Sequence, residues 1–368
     1  MTIREQEILD LIRKNPMISQ NELGEILGIT RSSVAVHITN LVKKGKVLGK
    51  GYIVQDNPYV TVVGGVNMDI QGFPKNRLIP GDSNIGSVKM SLGGVGRNIG
   101  ENLVRLGIDT KLISVLGDDI YGLKILEESA LIGLDMKDCL ILKGENTSIY
   151  LAVLDETHDM SVAISSMDIY ERMTVDFIKD KKHVIDNSKL CILDTNIPVD
   201  VIEYLLSNHR NTDFFVDTVS TAKAKKIKHL IGNIHTIKSN KIEIESITGI
   251  EIKGDADLKR NCEFLMNKGV KKIFITLGKN GVFYCDETTM NNIKAINVKP
   301  VNTTGAGDAF MAALVYCYLN NIEINESAKM ATAASVIALS HENTINPNMS
   351  VESINLKMKE LEICWKSI

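Results

Sequence analysis

The segment Asn302-Thr303-Thr304-Gly305-Ala306-Gly307-Asp308-Ala309-Phe310 carries the strongest chemical signal, because it opens a run of small and apolar residues that continues through Leu319. Glycines at a helix start let a ligand approach the main chain, and the unpaired N–H groups there point at whatever sits above them. That is an anion hole. A phosphoryl group in transfer spreads negative charge over its equatorial oxygens, so fixed amides stabilise it without reorganising. Asp308 lies one position beyond, where it can take a proton from an attacking hydroxyl. The same residues also fit a plainer arrangement, with Thr304 capping the helix, the glycines making a tight turn and Asp308 favouring the helix dipole.

A second cluster, Gly93-Gly94-Val95-Gly96-Arg97-Asn98, also precedes a helical stretch. It has neither the G-x-G-x-x-G spacing of a dinucleotide fold nor a P-loop, so a nucleotide site must be of another kind. Asn98 offers a donor and an acceptor, which suits a sugar hydroxyl. Asp69, six residues after Val63, is a carboxylate just past the first strand and can accept two hydroxyl protons from a vicinal diol. Either residue alone is commonly a turn former.

The elements that must position these groups follow from the apolar pattern. The 368 residues are 44% apolar and 24% charged, with a net charge of −3, which predicts two or three compact units with a sizeable core. Six cysteines without a C-x-x-C pair read as buried free thiols. No apolar run is long enough for a membrane helix and the amino terminus is charged from Arg4, so a cytoplasmic protein with no membrane partner is expected. From Tyr59 onward, apolar runs at Val60–Val63, Lys111–Val115, Leu190–Leu193, Phe214–Val216 and Lys272–Leu277 predict buried parallel strands. Helical stretches at Arg97–Leu106, Val199–Leu206 and Asp257–Lys268 alternate with them. This is an α/β layered domain. Ser148–Ala152 and Met160–Ile164 break the rhythm as a hairpin, suited to a lid over a ligand.

The first 57 residues have a different texture, with eight basic and six acidic side chains. A helix over Arg4–Lys14 is followed by Ser19 and Glu22 as a capping box for a second helix, which Gly28 closes. Thr30 caps a third helix with Val34, Ile38, Leu41 and Val42 as its buried stripe. Val47-Leu48 and Tyr52-Ile53-Val54 fit a two-stranded wing. The pattern is a winged helix-turn-helix module over residues 1–57, preceding a second domain over 58–368. Arg31, Ser32, Ser33 and His37 would lie near DNA base edges, and Lys43, Lys44, Lys46 and Lys50 near phosphates. The balance of eight to six is only +2, so useful affinity calls for a homodimer. A docking or dimerisation appendage with no DNA role fits the same residues.

Residues Tyr59–Ser350 resemble the ribokinase (PfkB) family of carbohydrate and nucleoside kinases. The resemblance lies in four ordered motifs: Gly93–Asn98, Asn240-Lys241-Ile242-Glu243, Thr276-Leu277-Gly278-Lys279-Asn280-Gly281 and Thr304–Asp308. It implies a ribokinase-like layered fold with a mostly parallel central sheet, a small β lid, and ATP-dependent phosphorylation of a primary hydroxyl. It further implies Asp308 as general base, the amides of Gly305, Ala306 and Gly307 as the anion hole, and Asp69, Gly94 and Asn98 as sugar ligands. Glu243 would organise Mg²⁺ through water, Asn240 would sit near the phosphates, and Thr276, Gly278 and Gly281 near the nucleotide. A capped helix start, with Glu243 in its first turn, is the plainer account of Asn240 and Glu243. Many relatives have Asp where this chain has Asn302, which puts a monovalent-cation site in question.

Within the family, Gly64–Gly72, Tyr150–Asp155 and Val216–Ser220 followed by Lys223-Ala224 are most similar to the pseudouridine kinases. The implied reaction moves the ATP γ-phosphate to the 5′-hydroxyl of pseudouridine. Another nucleoside, a free sugar, or a sugar- or nucleoside-sensing transcription regulator are the alternatives. Thr147, Ser148, Tyr150, Asp194 and Asn196 are further candidates for touching the acceptor.

Overall fold

The computed structural model describes residues 1–16, 18–47, 58–157, 159–294 and 300–365. The chain divides into two compact units, Met1–Asp56 and Asn57–Ile368.

In the first unit three helices form, α1 (Ile3–Lys14), α2 (Gln20–Leu27) and α3 (Arg31–Lys43). Each starts where a side chain takes up an orphan amide. Thr2 and Ser19 make capping boxes with Glu5 and Glu22, and Thr30 accepts from the Ser33 amide. Gly28 closes α2 in the left-handed conformation at φ 64°. Ile8, Leu9, Leu23, Val34, Ile38 and Leu41 form its core. Val42, expected in that stripe, is instead exposed, because it lies one residue past the inward face that Ile38 and Leu41 define. Lys44 is not free for phosphate. Its Nζ lies 2.6 and 2.8 Å from the carboxylate oxygens of the buried Glu5, tying the end of α3 to the start of α1. His37 is half-buried, with its Nδ1 buried and unpaired among the described residues. Of the predicted wing, Leu48 to Val54 lies outside the described residues.

The second unit is built on an eight-stranded sheet. Its order is Met290–Ile293, Val282–Cys285, Lys272–Thr276, Thr236–Asn240, Phe214–Asp217, Cys191–Asp194, Val60–Val63 and Thr110–Ile113. The last six run parallel, and the first two add on antiparallel. Strands buried on both faces read as continuous apolar runs, and alternate residues feed the two sides. Val62, Phe215 and Phe274 join one core layer, Val63, Val216 and Ile275 the other. On the first side, helices Ala306–Leu319 and Ile324–Leu339 approach closely through Ala309, Ala312, Ala328, Ala331 and Ala334, all essentially inaccessible. Cys191, Cys262, Cys285 and Cys317 are buried unpaired thiols, and Cys139 is a half-buried one.

A separate four-stranded sheet has the order Gly86–Gly93, Asn67–Pro74, Ile149–Leu154, Met160–Ser166. The predicted hairpin is its outer half, paired antiparallel, but two strands that the sequence did not announce form the rest. Asp69 therefore lies within a strand, not in a turn after the first one.

Candidate active site

The carboxyl ends of the parallel strands carry the motifs to one place. Gly305 is the N-cap of the helix Ala306–Leu319 and holds φ at 82°, and no side chain caps that helix. Thr304 is thus not the cap. A side chain at Gly305 would also run into the Thr344 carbonyl, so glycine is required twice over. The first-turn amides have no intrahelical partner and face outward.

Asp308, in the same first turn, is buried, and Asn98 Nδ2 donates to its Oδ2 at 2.8 Å. Asn98 belongs to the helix Val95–Arg105, whose N-cap is Gly94 at φ 96°. A Cβ on Gly94 would collide with the Gly65 carbonyl, so the turn after the first strand and the start of this helix fit only without one. Burial, aided by the nearby Asp217 carboxylate, pushes the Asp308 carboxyl up to about 7, while Lys238 and Asn98 pull against it. A carboxylate with that affinity can hold and release a proton near neutrality.

Asp69 stands opposite Ser91 in the lid sheet. Burial raises its carboxyl to about 6, against the hydrogen bond that Asn67 Nδ2 donates at 2.6 Å. Asp194 does not reach outward: its carboxylate accepts from the Gly65 amide at 2.7 Å and the Asn196 amide at 2.8 Å, so it fixes the turn behind the first strand. Thr147 is likewise occupied, donating to Asp119 at 2.6 Å.

Asn240 caps the helix Lys241–Thr248, and Glu243 returns the bond to its amide. The plainer account of this pair is realised in geometry, except that Glu243 is buried. Its carboxylate accepts from Thr218 Oγ1 at 2.5 Å, the Asn240 amide at 2.9 Å and Asn240 Nδ2 at 2.7 Å. With both oxygens engaged by the protein, Glu243 suits a hydrated ion held at second hand better than direct ligation. Among the described residues no group of three or more His, Cys, Asp or Glu side chains is placed to hold a metal. Such a site fits Mg²⁺, which keeps several waters and takes its remaining oxygens from phosphates.

Thr276, Gly278 and Gly281 line a cavity of about 660 Å³ together with Ala306, Gly307 and Phe310. Thr276 pairs in register with Asn240 on the neighbouring strand. The nucleotide-loop motif and the glycine-tipped helix therefore share one recess. A larger cavity, about 1160 Å³, opens at the amino end of the strands beside Tyr59, Lys189, His235 and Lys272. It contains none of the motif residues.

Sequence reasoning missed Lys238. It sits on the strand Thr236–Asn240, and its Nζ donates to Asp217 Oδ2 at 2.9 Å. It lies directly under the helix tip, where a Cβ on Gly307 would come within 2.6 Å of the amine. Burial disfavours its charge, but Asp217, Asp308 and Glu243 more than offset this and hold its pKa above the ordinary lysine value. Its position two residues before Asn240 was the available signal.

An outward helix tip, a poised carboxyl and an adjoining cavity, set on a layered α/β sheet with a β lid, define a small-molecule phosphotransferase. The chain belongs to the pfkB family of carbohydrate kinases, whose model matches residues 57–351, and the winged helix-turn-helix DNA-binding model matches residues 1–47. It is 38% identical to the uncharacterized sugar kinase YeiI of Escherichia coli, over 96% of this chain and 98% of that protein. It is 36% identical to the pseudouridine kinase of the same organism, over 82% of this chain and 96% of the relative. Among solved structures, a sugar kinase from Clostridium perfringens superposes with a TM-score of 0.76 at 40% identity, covering 83% of this chain and 97% of that one. The protein is a sugar or nucleoside kinase that phosphorylates an alcohol group.

Proposed function

We propose that the enzyme transfers the γ-phosphate of ATP to the 5′-hydroxyl of pseudouridine. The juxtaposition of Asn98, Asp308 and the uncapped helix tip carries the reading. ATP lies in the 660 Å³ recess with its terminal phosphate against the amides of Gly305, Ala306 and Gly307. Lys238, beneath the tip, adds a cationic charge to that hole. Asp69, Gly94 and Asn98 hold the ribose, and Asp308 accepts the 5′-hydroxyl proton as the oxygen attacks phosphorus. Mg²⁺, when bound, neutralises charge on the phosphates. Asn240 and Glu243 orient the water around it. The similarity to a pseudouridine kinase supports the acceptor, and Arg97, the arginine beside Asn98, is buried against Glu101 at 2.9 Å, which favours an acceptor without a phosphate.

A coupled ADP-release assay over pseudouridine, uridine, guanosine, inosine, ribose and fructose 6-phosphate tests this. Pseudouridine should have a kcat/KM at least about tenfold above the rest. A higher value for ribose or inosine rejects the proposed acceptor.

The amino-terminal unit supports a second role, binding DNA through α3. From Ile26 to Gln55 the sequence holds Arg31, Lys43, Lys44, Lys46 and Lys50 and no acidic residue. All the acids between Met1 and Gln55 lie earlier, in or beside α1 and α2. Arg31 and Lys43 lie at the two ends of the helix that a helix-turn-helix presents to the major groove, and Lys46 follows it, while Lys44 is paired with Glu5. With so few cations, two copies of the chain would share an operator. A mobility-shift assay on upstream DNA that shows no complex at low salt rejects this role.

A further inference from the structure

We infer that α3 selects its DNA through thymine methyl groups rather than through guanine. This rests on the DNA-binding role proposed above. At about 100° per residue, the buried Val34, Ile38 and Leu41 fix the inward face of the helix, and the opposite face is then Ser32, Val36, Thr39 and Lys43. All four are exposed. Val36 stands in the middle of this stripe, 60% exposed, where a soluble helix would ordinarily place a polar residue. Thr39 presents its methyl, because its hydroxyl donates back to the Ala35 carbonyl at 2.8 Å. One turn of the outward face, from Val36 to Thr39, is therefore apolar in character and bounded by Ser32 and Lys43.

The chemistry of the stripe selects among base edges. The major groove shows one apolar group, the C5 methyl of thymine, and valine or a threonine methyl is its complement. Asn40 flanks Val36 and matches the N6 and N7 edge of adenine, again an A·T pair. Of the side chains suited to guanine, Arg31 lies about 140° around the helix from Val36, toward the flank, and Lys43 lies about two turns beyond Val36 at the end of α3. The exposed α3 face carries no acidic side chain, and Arg31, Lys43 and Lys46, the described cations of this run that no carboxylate is shown to hold, supply the charge complementarity that commits it to nucleic acid.

The test uses the full-length protein and a random duplex library. Sequences retained after rounds of selection are resynthesised with deoxyuridine in place of each thymidine in turn. At least one replacement should weaken binding about fourfold, the weight of one buried methyl group. The double variant Val36→Ser with Thr39→Ser should bind the thymidine and deoxyuridine duplexes equally, with its thermal melting unchanged within a few degrees. Enrichment of sites that bind as well with deoxyuridine overturns the thymine assignment while leaving DNA binding intact. A library that yields neither enrichment nor a complex at low salt overturns the DNA role itself, and this inference with it.

Discussion

Asn98 donates a hydrogen bond to Asp308 at 2.8 Å across 210 positions of sequence, joining the helix that follows the first glycine cluster to the helix that follows the second. The bond favours the ionised carboxyl, against burial and the Asp217 charge, which favour the neutral one. Asn98, with Lys238, thereby lowers the pH at which Asp308 can accept a proton.

If Asp308 must be ionised to act, log kcat/KM should fall with unit slope as the pH drops below about 7, the value to which burial pushes its carboxyl. Removing the Asn98 donor raises that value further. The acid limb of the Asn98→Ala profile should therefore move to higher pH, beyond any uniform loss of rate. A limb that stays in place while the rate drops would separate Asn98 from proton affinity.

The same burial makes a stability prediction. A carboxyl whose pKa is raised on folding binds a proton that the unfolded chain has released, so its contribution to stability is lost as pH rises from about 4 to about 7. The displacement, from 3.8 to about 7, corresponds to at most about 5 kcal/mol at 1.4 kcal/mol per unit. Asp69 acts with the same sign up to about 6. Asp308→Asn should accordingly melt higher than the wild type at pH 8 and show a smaller difference at pH 5. Calorimetry at the two pH values decides this, and an equal or lower melting temperature at pH 8 would count against it.

Lys238 is held by Asp217 under the helix tip. Lys238→Met should lower kcat about 100-fold or more by removing charge from the anion hole. It should also destabilise the unit by about 3 to 5 kcal/mol, because Asp217 is left buried and unpaired. The double variant Lys238→Met with Asp217→Asn should recover most of the stability without recovering turnover. Joint recovery of both would reduce Lys238 to a structural role.

Asn302 bridges two loops next to the helix tip. Its Nδ2 donates to the Glu342 carbonyl at 3.0 Å and its Oδ1 accepts from the Thr304 amide at 2.9 Å. Both ends of this uncharged side chain are hydrogen-bonded within the protein, and it brings no carboxylate to hold a monovalent cation. Turnover should be unchanged within about twofold when potassium is exchanged for tetramethylammonium, by the tolerance expected of a site already hydrogen-bonded. A larger dependence would show that the bridge does not replace an ion.

Much of this arrangement was legible in sequence because local rules governed it. Gly28 and the Ser19 and Thr30 caps end and begin helices wherever they occur, and the apolar runs at Val60 and Cys191 admit few alternatives. The two glycine clusters, with Asn98 and Asp308, were visible as separate motifs, but their contact was not. The strands Asn67–Pro74 and Gly86–Gly93 escaped notice although both alternate, Met68 and Ile70 with Asn67, Asp69 and Gln71, and Val88, Met90 and Leu92 with Ser87, Lys89 and Ser91; the runs are short and broken by Gly72 and Gly93. Their pairing with each other and with Ile149–Leu154 is a long-range effect. Lys238 was overlooked for a related reason: a lone lysine on a strand gains meaning only from Asp217 and Gly307, which the fold brings to it. Lys44 looked free until Glu5, 39 residues away, was found beside it.

The most direct test of the central claim is single-turnover phosphoryl transfer from γ-labelled ATP to pseudouridine by Asp308→Asn, with acceptor binding measured alongside by calorimetry. The amide cannot take the hydroxyl proton, so transfer should fall by about 100-fold or more while the acceptor dissociation constant changes by less than about threefold. Transfer at the wild-type rate, with the acceptor bound as before, would contradict the assignment of Asp308 as the base beside the anion hole.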